Sequence, residues 1–297
     1  MKNRRLLKIA LAAMAATAAA AQDTFRYSLG EATVTLLSER QQAGNKSILI
    51  GATPDILAKT APDGTFPNAV NAFLIQFAGQ TMLADTGFGT KLFDNLAALG
   101  VTPEQIDAVL LTHMHGDHIG GLLRDGKPAF PNAKIILSTS ERDHWMAAAA
   151  PDTPQKKVLA AYSENLRLIT PNTLDEVAND KHRQREKPPS GTITSTVIAA
   201  PGHTPGHIMF QIEAGEKRLL IWGDLTHAMA VQMPYPNVAV TYDVDPAQAV
   251  QSRLAVLEYV AKNRIPIAGM HIPYPGIGTV AKKADGYRFT PAQPEPR

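Results

Sequence analysis

The sequence predicts a layered α/β protein in which two sheets are sandwiched between outer helices. Short apolar runs with the length of buried strands recur in both halves of the 297-residue chain, amphipathic helical segments are interspersed with them, and the blocks follow a similar order in each half without any repeated sequence. With 44% hydrophobic and 19% charged residues, the chain is long enough for one large core or two modest ones. The absence of Cys excludes a disulfide scaffold, a cysteine nucleophile and a thiolate metal site.

The N-terminus reads as an address. Lys2, Arg4, Arg5 and Lys8 precede the apolar or small-residue run from Ile9 to Ala21, interrupted only by Thr17, and Ala19-Ala20-Ala21 supplies an A-x-A site before Gln22. Residues 1–21 are therefore expected to be a signal peptide, and the Arg4-Arg5 pair resembles the twin-arginine type. A run from residue 9 to 21 is too short to cross a bilayer core of about 30 Å, so no membrane anchor is expected after processing. The mature protein would be periplasmic or secreted, as one domain over residues 22–297. Without the leader the chain carries 25 basic and 27 acidic side chains, which gives no electrostatic reason to expect a nucleic-acid partner.

Val70–Phe77 and Gln80–Ala84, joined through Gly79, read as a hairpin ending at Asp85-Thr86-Gly87. Lys91–Leu99 carries Leu92, Phe93, Leu96 and Leu99 on one helical face, with Gly100 as a stop, and Thr102-Pro103-Glu104-Gln105 starts a further helical turn. Ala108–Thr112 is a short buried strand that delivers the chain into His113. Ile135–Ser138 is another strand. A helix capped by Thr139 or Ser140 follows, then a helix over Pro154–Leu168, and the polar stretch from Asp175 to Gly191 is expected to be an exposed loop. Strands return at Thr192–Ala200, His207–Glu213 and Arg218–Trp222. Asp245-Pro246 opens a helix with a core-facing stripe of Ala249, Val250, Arg253, Leu254, Leu257 and Val260, and Ile265–Met270 is a last buried strand before His271.

The chemistry is concentrated at strand ends. His113-Met114-His115-Gly116-Asp117-His118 follows an apolar strand, and packing does not explain so many ligand-type side chains on one loop. Alternation sends His113 and His115 to one side, while a turn at Gly116 lets Asp117 and His118 reach a neighbouring point, which predicts two adjacent cation sites. His203, Asp224 and His271 occur in the same context, each just after a strand.

On these residues, and on the Asp85-Thr86-Gly87 turn, the chain resembles the metallo-β-lactamase superfamily, whose fold is a four-layer αββα sandwich. The resemblance implies that His113, His115 and His203 hold one metal, that Asp117, His118 and His271 hold a second, and that Asp224 bridges. Nitrogen and oxygen donors without thiolate suit Zn²⁺, with Mn²⁺, Co²⁺ or Fe²⁺ as alternatives. Two such ions about 3.5 to 4 Å apart would hold a bridging hydroxide for hydrolysis without a covalent nucleophile. Asp117 is also a candidate to pass a proton to the leaving group. Asp85 and His207 are expected to support the ligands from behind, and His227 to face the substrate. His144 and His182 read as surface residues.

Antibiotic hydrolysis does not fit, because Cys is absent and Asp224 is present. An exported, net-acidic chain also suits neither the glutathione thioester of glyoxalase II nor the RNA of ribonuclease Z. The blocks Phe130-Pro131-Asn132-Ala133, Gly223-Asp224-Leu225, His271-Ile272-Pro273-Tyr274-Pro275-Gly276-Ile277-Gly278 and Gly286-Tyr287-Arg288-Phe289, with Glu141 and Trp145, look like methyl parathion hydrolase and its lactonase and arylesterase relatives. That likeness implies an aromatic pocket of Phe88, Trp145 and Tyr242. His227 and Tyr242 stand where dedicated organophosphate hydrolases have aliphatic side chains, which favours a planar lactone or aryl ester over a phosphotriester. A metal-binding protein without turnover is the alternative of another class; a missing ligand would be its sign, and none is missing. Relatives of this type often dimerise, and the region before Pro67 is where a partner-facing arm is expected.

Overall fold

The computed structural model describes residues 23–148, 150–180 and 192–294. The leader at residues 1–21, and residues 181–191 with His182, lie outside the described residues.

Two sheets form the centre, and in each the strands lie side by side in chain order. The first has seven strands: β1 (Thr24–Leu29), β2 (Ala32–Asn45), β3 (Thr65–Phe77), β4 (Gln80–Ala84), β5 (Ala108–Leu110), β6 (Lys134–Ser138) and β7 (Leu166–Ile169). Neighbours are antiparallel as far as β4, and β4 to β7 run parallel. The second has six: β8 (Ile193–Ala199), β9 (Ile208–Ala214), β10 (Lys217–Ile221), β11 (Ile267–Ala268), β12 (Ile277–Lys283) and β13 (Gly286–Pro291), with only the β10–β11 pair parallel. Parallel neighbours need crossovers, and helices supply them. In chain order the helices are α1 (Pro54–Thr60), α2 (Leu92–Ala98), α3 (Gly116–Ile119), α4 (Thr139–Ala147), α5 (Pro154–Ala161), α6 (Leu174–Asn179), α7 (Met229–Gln232) and α8 (Pro246–Asn263).

Period-two alternation explains the layering. Phe73 and Ile75 of β3 pack with Phe210, Ile212, Leu219 and Ile221 between the sheets. Leu74 points the other way, into a cluster with Leu92, Leu96 and Val158 of the helices. On the second sheet Leu220 and Trp222 face outward onto Val256, Leu257 and Val260 of α8. Three apolar layers separate four layers of secondary structure, in the order αββα. A strand buried on both faces has no polar side to show, which is why these segments read as continuous apolar runs.

The hairpin through Gly79 forms with positive φ at both turn residues, Ala78 (45°) and Gly79 (81°), a backbone whose twist matches the flanking strands. Several expectations need correction. Ser138 caps α4, accepting from Glu141 N at 3.1 Å, in place of Thr139 or Ser140. The helix expected over Pro154–Leu168 stops at Ala161, where buried Tyr162 turns inward to donate to Leu122 O at 2.9 Å, and Leu166–Ile169 pairs with β6 as a parallel strand. Leu174–Asn179 is helical, not loop, because Thr173 and Glu176 form a reciprocal capping box. β1, β2, α1 and the β12–β13 hairpin go beyond the elements read from sequence. The region before Pro67 forms β1, β2 and α1, packed within this chain; α1 and its flanks join a satellite core with Phe66, Val231 and Val238.

Candidate metal centre

The site sits where β5, β8, β10 and β11 end. The turn after β5 presents His113 and His115, and α3 carries Asp117 and His118. The loop before β9 presents His203, and the segments after β10 and β11 present Asp224 and His271.

His113, His115 and His203 converge. Their inward nitrogens lie 2.9 to 3.1 Å apart, and their rings stand nearly perpendicular to one another, at 81° to 87°. Three imidazoles meeting edge-on at one point, each with at most one proton on the inward nitrogen, do not satisfy one another by hydrogen bonding; a cation does. Asp224 Oδ2 completes this group at 3.2 Å from His203 Nε2 and 3.6 Å from His113 Nε2. The second group is Asp117, His118 and His271, with Asp117 at 3.7 Å from His118 Nε2 and 3.5 Å from His271 Nε2. Asp224 reaches it through Oδ1, 3.1 Å from His118 Nε2, and Oδ2, 3.1 Å from His271 Nε2. His118 Nε2 and Asp224 Oδ1 are buried and face each other without forming a well-aligned hydrogen bond, as expected of atoms shaped for an ion. The donor set therefore fits divalent cations.

Outer contacts fix the tautomers. His118 Nδ1 meets Asp85 Oδ2 at 2.6 Å, and Asp85 is itself held by Thr112 N and Oγ1 at 2.8 and 2.7 Å. His113 Nδ1 lies 3.1 Å from Thr112 Oγ1, His203 Nδ1 3.0 Å from Asp243 Oδ1, and His271 Nδ1 2.7 Å from Ala69 O. Each of these rings thereby turns an Nε2 lone pair inward. Thr112 and Asp243 have no sequence signal beyond position, Thr112 beside His113 and Asp243 in a Thr-Tyr-Asp-Val-Asp run. His207 Nε2 accepts from Asp224 N at 3.0 Å, and its Nδ1 faces Ala200 O.

Charge is balanced against burial. Burial, then the fields of neighbouring imidazoles, hold His113 well below its usual pKa and bring His115 to about 4 and His207 to about 3. Burial also opposes protonation of His118, His203 and His271, but carboxylates outweigh it. They raise His203 to about 9, His118 well above its usual value, and His271 upward. The same outcome holds in reverse for Asp224: burial opposes ionisation, yet His118, His271 and other imidazoles keep it ionised. The carboxylates that draw protons to His118, His203 and His271 would draw divalent cations there in competition with them.

The centre opens into a cleft of about 590 Å³, with His115, Asp117, His203, Asp224, His227 and His271 at its floor and Gln42, Asn45, Asn68, Phe88 and Tyr242 among its walls. His227 Nε2 lies 3.0 Å from Asp224 Oδ2. Phe88 and Tyr242 are 40% and 54% exposed, at the mouth. The position of Phe88 is set from outside the site. Glu39 accepts from Thr90 N, Thr90 Oγ1 and Lys91 N at 2.8, 2.9 and 2.9 Å, and the Arg40 guanidinium lies 5.1 Å over the Phe88 ring. Trp145, expected in the aromatic pocket, is not among the cleft-lining residues. Its indole N–H goes to Glu141 Oε1 at 2.6 Å, and its ring meets His115 edge-on at 5.7 Å. His144 is half-buried against Trp145. The Gly286–Phe289 block lies in β13, outside the cleft lining.

Two sheets face to face between helices, with histidines and aspartates gathered at their strand ends, define an αββα protein with a metal centre. The chain belongs to the metallo-β-lactamase superfamily, whose family model matches residues 65–266. Among solved structures it is similar to hydrolase AbOPH of the beta lactamase superfamily, with 27% identity, 92% of this chain and 99% of that chain covered, and a TM-score of 0.76. It is also similar to AidC, a dizinc quorum-quenching lactonase in complex with a product, with 25% identity, the same coverage and a TM-score of 0.75. Among curated proteins it is 30% identical to YobT of Bacillus subtilis over 48% of this chain and 56% of that protein. It is 27% identical to the atrochrysone carboxyl ACP thioesterase of Passalora fulva over 57% and 41%. The matches thus span about half the length of those curated relatives.

Proposed function

We propose that the chain is a binuclear metal-dependent hydrolase of small neutral esters, with lactones and aryl esters as its substrates. The observation that carries this reading is the Asp224 carboxylate, whose oxygens face both donor groups at the floor of an open cleft. In this reading His113, His115 and His203 hold one cation, Asp117, His118 and His271 the other, and Asp224 both, with Zn²⁺ favoured by the donor chemistry. When bound, such a pair supplies Lewis-acid polarisation of the substrate and water activated at neutral pH. The chain supplies the rest. Asp85, Asp243, Thr112 and Ala69 O hold the imidazoles in the ligating tautomer. Asp117, 3.7 Å from His118 and 3.5 Å from His271 on the lining of the cleft, is placed to take up a proton and pass it to the leaving group. Phe88 and Tyr242 offer ring faces to a flat acyl group, and His227 offers a polar contact beside Asp224. Likeness to a lactonase supports ring esters ahead of phosphotriesters, which are the second substrate class, on the resemblance of the 271–278 block.

A substrate panel tests this: N-acyl homoserine lactones, dihydrocoumarin, phenyl acetate and methyl paraoxon, with metal-loaded and chelated protein. Lactone or aryl-ester turnover that chelation abolishes and Zn²⁺ restores is the expected result. Chelator-insensitive turnover, or none on any compound after reloading, overturns it. Export to the periplasm or the exterior belongs to the same proposal, and a mature chain beginning at Gln22 would support it. So does a homodimer through the segment before Pro67, checked by sedimentation. Among the described residues no helix is long and apolar enough to cross a membrane.

A further inference from the structure

Glu141 is fully buried, in the first turn of α4, and plays no part in the chemistry described so far. Its carboxylate accepts from three directions. Oε1 takes Met114 N at 2.9 Å and Trp145 Nε1 at 2.6 Å, and Oε2 takes Thr204 Oγ1 at 2.6 Å. Met114 lies between His113 and His115, and Thr204 follows His203. One carboxylate thus holds the backbone or neighbour of every histidine in the first donor group, and the Trp145 ring it orients rests on His115. The loop from His203 is pressed against the same helix turn: Ser138 Oγ donates to Gly206 O at 2.6 Å, and a Cβ at Gly206 would lie 2.1 Å from Glu141 N.

We propose that Glu141 is a positioning residue that joins the β5 loop to the His203 loop and so sets the spacing of the His113–His115–His203 cluster for its cation. The inference rests on the metal reading above. It asks a specific thing of the carboxylate: an acceptor toward Met114 and Trp145, and a partner for the Thr204 hydroxyl. Glu141→Gln meets that demand, because its amide oxygen accepts from the first two and its NH₂ donates to a hydroxyl that can also accept. Glu141→Leu meets none of it.

The test is Zn²⁺ affinity, measured by chelator competition, together with the melting temperature of each metal-free protein. Glu141→Leu is expected to weaken one of the two Zn²⁺ ions by about 10- to 100-fold, the range typical of lost outer-shell support, while Glu141→Gln stays within about 3-fold of the wild type. Should Glu141→Leu fail to fold, Thr204→Val and Trp145→Phe each remove one contact and are expected to weaken the same ion by several-fold. Two ions held at wild-type affinity in Glu141→Leu, or in both single-contact variants, overturn the inference. So does a Gln variant that loses as much affinity as the Leu variant. A wild type that binds no Zn²⁺ overturns the metal reading itself, and with it this one.

Discussion

Arg253 stands in the apolar stripe of α8 and is only 1% exposed. Its Nε donates to Leu225 O at 2.7 Å, and Nη1 donates to Pro236 O and Val238 O at 2.9 and 2.8 Å. Nη2 lies 4.0 Å from Asp243, the partner of His203. Burial lowers its pKa to about 10, partly offset by Asp243, so it stays charged at neutral pH. Replacing a buried charge with an apolar side chain is often neutral or stabilising, and Arg253→Leu on an amphipathic helix invites that outcome. Here the guanidinium's partners argue against it, because they are backbone carbonyls that remain after the substitution. Val238 O keeps Gln232 Nε2 at 3.0 Å, whereas Leu225 O and Pro236 O have no other donor among the described bonds. Two stranded carbonyls at about 1–3 kcal/mol each give a loss on the order of 4 kcal/mol. In a domain of this size that is a fall in Tm of about 8–16 °C. Urea unfolding of the metal-free protein measures it directly. Arg253→Lys, which keeps the charge but not the planar fork, should recover part of the loss. A Leu variant within about 1 kcal/mol of the wild type would refute the reasoning and make Arg253 a dispensable buried charge.

Asp85→Asn keeps an acceptor for Thr112 N but turns an NH₂ toward His118 Nδ1, reversing the tautomer that faces the ion. Metal analysis after dialysis should show loss of about one ion per chain, with affinity down by about 10- to 100-fold. His207 has a folded pKa of about 3 against 6.5 unfolded, so the stability it contributes is present above pH 6.5 and lost as pH falls toward 3. His207→Gln should make the acid limb of stability against pH shallower by about one proton, read from urea melts across that window. Glu39→Gln sets an NH₂ against either the Thr90 or the Lys91 donors, whichever way the amide turns, and loosens the Phe88 loop. KM for an aryl ester should rise about 3- to 10-fold with kcat within about 2-fold, and the change should vanish in a Phe88→Ala background.

Residues that act through their own type and spacing were readable in advance. His113, His115, Asp117 and His118 announce a cation by crowding, and the apolar runs before them and before Asp224 and His271 announce buried strands. Residues that act through a partner distant in sequence were not. Asp243 matters because His203 lies beside it, and Glu141 because two loops meet over it. Arg253 fits an apolar stripe by period, and only the carbonyls around its guanidinium show why a charge belongs there. Leu166–Leu168 reads as the end of a helix because a short apolar segment carries both periods; pairing with β6 decides for strand. β2 was missed because its second half, from Arg40 onward, is mostly exposed and polar.

Every described strand of the first sheet precedes residue 170, and every strand of the second follows residue 192. Each sheet is therefore built from strands of one half of the chain, and the apolar layer between the sheets joins the two halves. The proposed ion centre lies across the seam, with four candidate donors from the first half and His203, Asp224 and His271 from the second. Bound cations would act as a clasp, converting loading into cohesion of the two halves. A chain nicked between residues 181 and 191 should stay together longest when metal is plentiful and come apart most readily when a chelator removes it.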